Sequence, residues 1–210
     1  MNFSSLSEIA SYIVSDGKGI LAADESNPTC TKRFDSIGVE STEDNRRDYR
    51  ELLFRSEGMK GNIGGVILFD ETIRQTAADG TSLVELITSQ GSLPGIKVDK
   101  GLQQIGDTKE SLTQGLEGLD SRLKEYYGLG AKFTKWRAVI NIGEDMPSSG
   151  AISANMEALA NYAKIVQNNN MVPMVEPEVL MDGNHSAEIC LNKTSAVSYT
   201  HLTLPTTMLV

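Results

Sequence analysis

Histidine and cysteine are scarce. The 210 residues hold two of each, His185 and His201, Cys30 and Cys190. That is too few for a His-rich zinc site, and the cysteines are too far apart in sequence to form a disulfide framework or a paired thiolate site. A reducing compartment is the default for such a chain, with neither metal nor cofactor expected. No stretch approaches the ~18 apolar residues of a membrane span. Met1–Val14 carries no Lys or Arg ahead of Lys18, so the basic start of a secretory signal is missing and an Arg-rich transit peptide is not seen. A cytoplasmic location is the expectation. Several chemical signatures are missing as well: HExxH, a strand-linked GxGxxG, a GxSxG elbow, and a Walker loop, since Gly17-Lys18-Gly19 has Tyr12 where the first glycine belongs. Basic residues are outnumbered, 19 Lys+Arg against 28 Asp+Glu, for a net charge of −9. Such a field repels phosphate, which argues against nucleic-acid and anionic-membrane partners. An anionic substrate would need a local cluster of Lys and Arg.

What is present is an ordinary globular composition, 40% apolar and 22% charged. Short apolar runs recur at Gly19–Ala23, Gly64–Phe69, Gly95–Asp99, Phe133–Val139 and Val172–Glu176. Between them lie segments of helical period. Ser5-Leu6-Ser7-Glu8 and Ser82-Leu83-Val84-Glu85 read as capping boxes, and Thr42 as the cap of a helix carrying Tyr49, Leu52 and Leu53. Two more stripes run through Leu116, Leu119, Leu123 and Tyr126, and through Met156, Leu159, Ala160, Ala163 and Val166. Strand and helix in alternation at this pitch predict βα units and a parallel α/β sheet, as a barrel or open. An eight-stranded barrel takes roughly 250 residues. Five strands reach almost to the end of this chain, so the sheet is open or the barrel is incomplete. The last stretch, from Ser195, has no charged residue and fits neither a helix stripe nor the earlier strands.

Charges gather where a doubly buried parallel strand should have none. Asp24 follows Leu21-Ala22-Ala23. Lys97 and Asp99, Lys135 and Arg137, and Glu176 and Glu178 are i, i+2 pairs, each on one face of its strand. Each has an ordinary reading: a helix cap for Asp24, an ion pair for Lys97 and Asp99, a solvated edge strand for Lys135-Trp136-Arg137, a loop start for Glu176-Pro177-Glu178. Repetition at four strand ends favours one rim of ionised groups, the place where βα barrels do their chemistry. Lys32-Arg33 and Arg46-Arg47 stand near helix starts and suit phosphate, or else form solvated helix faces.

Taken together these segments resemble class I fructose-bisphosphate aldolase. The resemblance is carried by Gly17-Lys-Gly-Ile-Leu-Ala-Ala-Asp-Glu-Ser26, Thr42-Glu-Asp-Asn-Arg-Arg47, Gly64-Gly-Val-Ile-Leu-Phe69, Gly95-Ile-Lys-Val-Asp-Lys-Gly101, Thr113–Leu119, Phe133-Thr-Lys-Trp-Arg137, Val172-Pro-Met-Val-Glu-Pro-Glu178 and Met181–His185. It implies a (β/α)8 TIM barrel, incomplete here with about five of eight βα units. Residues 1–194 would be the partial barrel and 195–210 a tail foreign to the family and irregular. It implies cleavage of fructose 1,6-bisphosphate to dihydroxyacetone phosphate and glyceraldehyde 3-phosphate through a lysine Schiff base, with a sugar bisphosphate as substrate and a homotetramer as the full-length assembly.

Carried onto matching positions, the resemblance makes Asp24 the acid that orients the substrate carbonyl and Lys135 the cation beside the imine. Glu176 becomes the general acid/base and Glu178 its ion-pairing neighbour. Arg33, Lys97 and Arg137 become substrate and phosphate contacts, with Arg46 a weaker candidate. The imine-forming lysine of the family stands in a Leu-Lys-Pro-Asn-Met type motif, and nothing after Glu178 resembles it. The expectation is therefore an aldolase chain with the acid/base half of its site, inactive by itself. Two other readings stay open on residues alone: another phosphosugar-binding barrel enzyme, or a non-catalytic anion-binding module.

Overall fold

A computed structural model describes residues 2–203. In chain order they form α1 (Leu6–Ile13), β1 (Gly19–Ala23), α2 (Asn27–Asp35), α3 (Glu43–Phe54), β2 (Ile63–Leu68), α4 (Asp70–Ile73), α5 (Leu83–Ser89), β3 (Leu93–Lys97), β4 (Leu102–Gln104), β5 (Ser111–Thr113), α6 (Leu119–Gly128), β6 (Phe133–Ile140), α7 (Ser149–Asn168), β7 (Val172–Val179) and α8 (Ala187–Thr203). The main sheet has the order β1-β2-β3-β6-β7, and β4 pairs with β5 in a separate antiparallel hairpin. The five main strands are parallel. Residues divide into two compact units: one holds the chain up to Lys97 with Arg122–Thr134 and Asn169–Val172, the other Val98–Ser121, Lys135–Asn168 and the chain from Pro173 onward.

In the first unit, helix starts follow local chemistry. Side-chain oxygens of Ser5, Thr42 and Ser82 accept the N–H of Glu8, Asn45 and Glu85 at 3.2, 3.1 and 3.0 Å, relieving orphan donors of the first turn. The Glu8 carboxylate turns to Ser4 instead of closing the box on Ser5. Strands β1 and β2 run parallel with Ala23 opposite Leu68, and β3 continues with Ile96 opposite Leu68 on the other side. Val66, Leu68, Ile96, Phe54, Leu83, Ile87, Leu123 and Phe133 are fully buried. Two glycines make room for close approach. A Cβ on Gly64 would lie 2.0 Å from the carbonyl oxygen of Ile13, so α1 seats its backbone directly on β2. A Cβ on Gly95 would lie 2.3 Å from the Phe133 ring.

Helix α3 starts at the expected Thr42 cap, and its buried face is partly charged. Its buried residues are Arg46, Arg50 and Phe54, while Leu52 is 72% exposed. Position outweighs hydrophobicity here, because i, i+4, i+8 spacing places those three on one face and two guanidiniums find partners there.

In the second unit Trp136 and Tyr162 are fully buried, with ring centroids 5.2 Å apart. Glu110, beside the β4–β5 hairpin, accepts both the N–H and the hydroxyl of Ser148 at 2.6 and 2.7 Å, just ahead of α7. Helix α8 runs into the stretch read as a tail. Ser186 accepts the Ile189 N–H at 3.2 Å at its start, Val197 is buried, and the helix continues through Ser195 to Thr203. Once nucleated and packed on α7, a helix extends at little cost per residue. Residues 204–210 lie outside the described residues.

Candidate active site

Strand β6 alternates faces: Trp136 enters the core, so Lys135 and Arg137 share the opposite face. The pair lies mid-strand, because β6 runs on to Ile140. Its backbone is pinned, the Lys135 carbonyl by the Val98 N–H at 3.1 Å and the Arg137 carbonyl by the Thr113 hydroxyl at 2.7 Å. Strand β7 presents Glu176 and Glu178 in the same i, i+2 register. The result is two rungs across neighbouring strands: Lys135 Nζ to Glu176 Oε2 at 3.2 Å, and Arg137 Nη1 to Glu178 Oε2 at 3.2 Å. Lys135 is largely buried, with 13% of its side chain exposed, whereas Glu176 is 38% exposed. The Glu176 carboxylate is thus reachable from solvent while its ammonium partner is sheltered, which leaves it within reach of a substrate proton. Glu178 pairs with Arg137.

In the first unit Asp24 follows β1 and is buried, and Lys97 is the half-buried last residue of β3. Arg33, on α2, is ion-paired with Glu25 and lies within reach of the Tyr49 hydroxyl at 3.4 Å. Arg33 is still 56% exposed, so its outer edge is open to an anion. Arg46 differs. It is 8% exposed, with two edges on Glu71 and a third on Ser41. As placed, it stabilises the fold and offers nothing to a ligand without breaking that pair. Among the candidates the structure thus brings together Lys135 with Glu176 and Arg137 with Glu178. Asp24, Lys97, Arg33 and Arg46 belong to the other unit.

Sequence reasoning missed Arg50 and Glu25. Arg50 is completely buried, donates to the carbonyls of Ala23 and Glu25 at 3.2 and 2.5 Å, and lies 3.6 Å from the sulfur of Cys30. Burial holds the Cys30 thiol above its ordinary value, though Arg50 works against the rise. Burial also raises the Tyr49 phenol, reinforced by the Glu25 carboxylate. The signal for Arg50 was its spacing four residues from Arg46 and from Phe54.

Five parallel strands alternating with helices, with Lys–Glu and Arg–Glu pairs between two neighbouring strands, make the chain an α/β protein with the architecture of an incomplete βα barrel. The chain belongs to the class I fructose-bisphosphate aldolase family, whose model matches residues 5–204. It is 55% identical over 197 residues to the probable fructose-bisphosphate aldolase class 1 of Xanthomonas axonopodis pv. citri, covering 93% of this chain and 59% of the relative. It is 53% identical over 189 residues to the cytosolic fructose-bisphosphate aldolase 6 of Arabidopsis thaliana, covering 90% of this chain and 53% of that one. A solved structure, the Plasmodium falciparum fructose-bisphosphate aldolase crystallised with TRAP and a small-molecule inhibitor, superposes with a TM-score of 0.92 at 48% identity, over 94% of this chain and 58% of the other. The chain therefore spans little more than half the length of these relatives. Among the described residues no helix is long and apolar enough to cross a membrane.

Proposed function

We propose that the whole protein cleaves fructose 1,6-bisphosphate reversibly to dihydroxyacetone phosphate and glyceraldehyde 3-phosphate through a lysine Schiff base. The observation that carries this reading is the Lys135–Glu176 pair at 3.2 Å on adjacent strands. In the proposed sequence Glu176 shuttles the proton that leaves with water when carbinolamine becomes imine. Lys135, 3.2 Å from that carboxylate, holds it in place and electrostatically assists imine formation. Asp24 orients the substrate carbonyl, Glu178 holds Arg137, and Arg33, Lys97 and Arg137 take phosphate and hydroxyl groups. Arg46 stays a weaker candidate because of its pairing with Glu71.

The cytosolic Arabidopsis relatives support a cytoplasmic location, and the assembled form we propose for the whole protein is a homotetramer, which light scattering would test. We also propose residues 1–194 as the aldolase portion and 195–210 as foreign. The helix across that boundary and the family match reaching residue 204 weigh against the second half, and limited proteolysis trimming the chain back to a resistant 1–194 core would support it.

These 210 residues contain no lysine in a Leu-Lys-Pro-Asn-Met type motif, so by themselves they are expected to form no imine. Borohydride reduction with dihydroxyacetone phosphate should leave the chain unlabelled. A stable adduct on Lys135 or Lys193 would overturn that expectation. A chimera joining residues 1–194 to the remainder of the Xanthomonas relative should cleave fructose 1,6-bisphosphate, and an inert, folded chimera would sink the reading.

A further inference from the structure

Asp24 stands on a short link, Asp24-Glu25-Ser26, that is neither strand nor helix. The link is gripped by Arg50 of α3. Arg50 Nε donates to the carbonyl of Ala23 at 3.2 Å and Nη2 to the carbonyl of Glu25 at 2.5 Å, the two carbonyls that flank Asp24. The same Nη2 lies 3.7 Å from Oε2 of Glu25. The other carboxylate oxygen of Glu25 accepts from Arg33 and, at 3.1 Å, from the Tyr49 hydroxyl. One guanidinium thus fixes the backbone on both sides of Asp24 and anchors the carboxylate that holds Arg33.

Stability alone accounts poorly for this arginine. Its side chain is wholly buried, and its Nη1 has no hydrogen-bond partner. Burying a charge costs more than burying an apolar side chain of similar volume, which often serves a fold as well or better. Phe54, one turn along the same face, is such a side chain and is also fully buried. What an apolar residue cannot supply is a planar fork reaching two carbonyls at once, and lysine, with its single ammonium, supplies it badly.

We infer that Arg50 is a positioning residue, setting where the Asp24 carboxylate stands and, through Glu25, where the Arg33 guanidinium stands. The inference rests on the reading of Asp24 and Arg33 as site residues, and its test separates the two ideas. Amide exchange is followed by mass spectrometry on the 210-residue chain carrying Arg50→Lys or Arg50→Met. The peptide spanning residues 22–33 should exchange at least about tenfold faster while peptides from β2 and β3 keep their protection.

In the aldolase chimera, Arg50→Lys should lower kcat by about tenfold or more through Asp24 and raise KM by about threefold or more through Arg33, and Arg50→Met should do both more strongly, because a misplacement of an ångström suffices. Unchanged exchange, acceleration spread evenly over all peptides, or an unchanged kcat in both variants would overturn the inference. A chimera inactive with Arg50 intact defeats the functional reading and the catalytic part of the inference with it. The exchange comparison then judges the grip on the link by itself.

Discussion

Arg46 meets Glu71 edge to edge, Nε to Oε1 at 2.7 Å and Nη2 to Oε2 at 2.6 Å, and its third edge donates to the Ser41 carbonyl at 2.5 Å. Glu71 also accepts from Asn27 at 3.3 Å, so one carboxylate ties together α2, α3 and α4. Bidentate pairing of this kind is among the stronger polar contacts when shielded from water, and both side chains are mostly buried, 10% and 18% exposed.

Glu71→Gln should therefore destabilise the chain by about 3 kcal/mol, because it strands a buried guanidinium. The Arg46 hydrogen bonds hold the Glu71 carboxyl below its ordinary value despite burial. A carboxylate depressed in the folded state contributes stability that is present above the ordinary value and lost as pH falls through the lower, folded value. Urea unfolding of wild type and Glu71→Gln should show a gap that narrows on acidification from about pH 7 to about pH 3. A gap constant over that range would mean that the ionised pair contributes nothing.

The Lys135–Glu176 rung should matter to turnover more than to folding. In the aldolase chimera, Glu176→Gln and Lys135→Met should each reduce kcat by about 10²–10⁴, the usual worth of an acid/base group. Melting of the folded chimera should shift little, since a partly exposed ion pair is worth about 1 kcal/mol or less. A large stability loss with near-normal kcat would assign the rung to the scaffold.

Gly95→Ala should be strongly destabilising, because the added carbon falls 2.3 Å from the Phe133 ring. Overpacking of this kind costs about 1–3 kcal/mol. Phe133→Leu opens space at the same contact, so the double variant should be more stable than the sum of the single losses predicts. Simple additivity would show that the two sites do not touch.

Cys30 and Cys190 should differ in reactivity. Cys30 is fully buried with its thiol raised by desolvation, and the thiolate is the reactive form. Cys190 is partly accessible. A thiol reagent should label Cys190 in the native chain and Cys30 only after denaturation, a distinction read by peptide mapping.

The strands and capped helix starts were legible because they rest on short-range rules: β-branched runs near residues 19, 64, 95, 133 and 172, and the caps at Ser5, Thr42 and Ser82. The Lys135–Glu176 and Arg137–Glu178 pairs were legible as faces, because period-2 alternation puts each pair on one side of its strand. Which residue meets which depends on register across neighbours, and that is a tertiary quantity. The hairpin of β4 and β5 escaped notice since three-residue, exposed segments such as Leu102-Gln103-Gln104 carry too little pattern. The burial of Arg50 on α3 was not legible, because its partners, the carbonyls of Ala23 and Glu25, lie at the end of β1. The helix through Ser195–Thr203 was hidden for a related reason: its own residues carry no stripe, and its support comes from α7 and the turns before it.

Ile13 and Gly64 fit together because a single hydrogen stands where other residues carry a carbon. Fifty residues separate the two along the chain, so during synthesis the first helix emerges long before its seat exists and must wait, unsupported, for that surface to appear. A helix of eight residues is marginal alone in water. Its order is therefore borrowed from a strand made later, and one methyl group at that strand would leave it nowhere to settle.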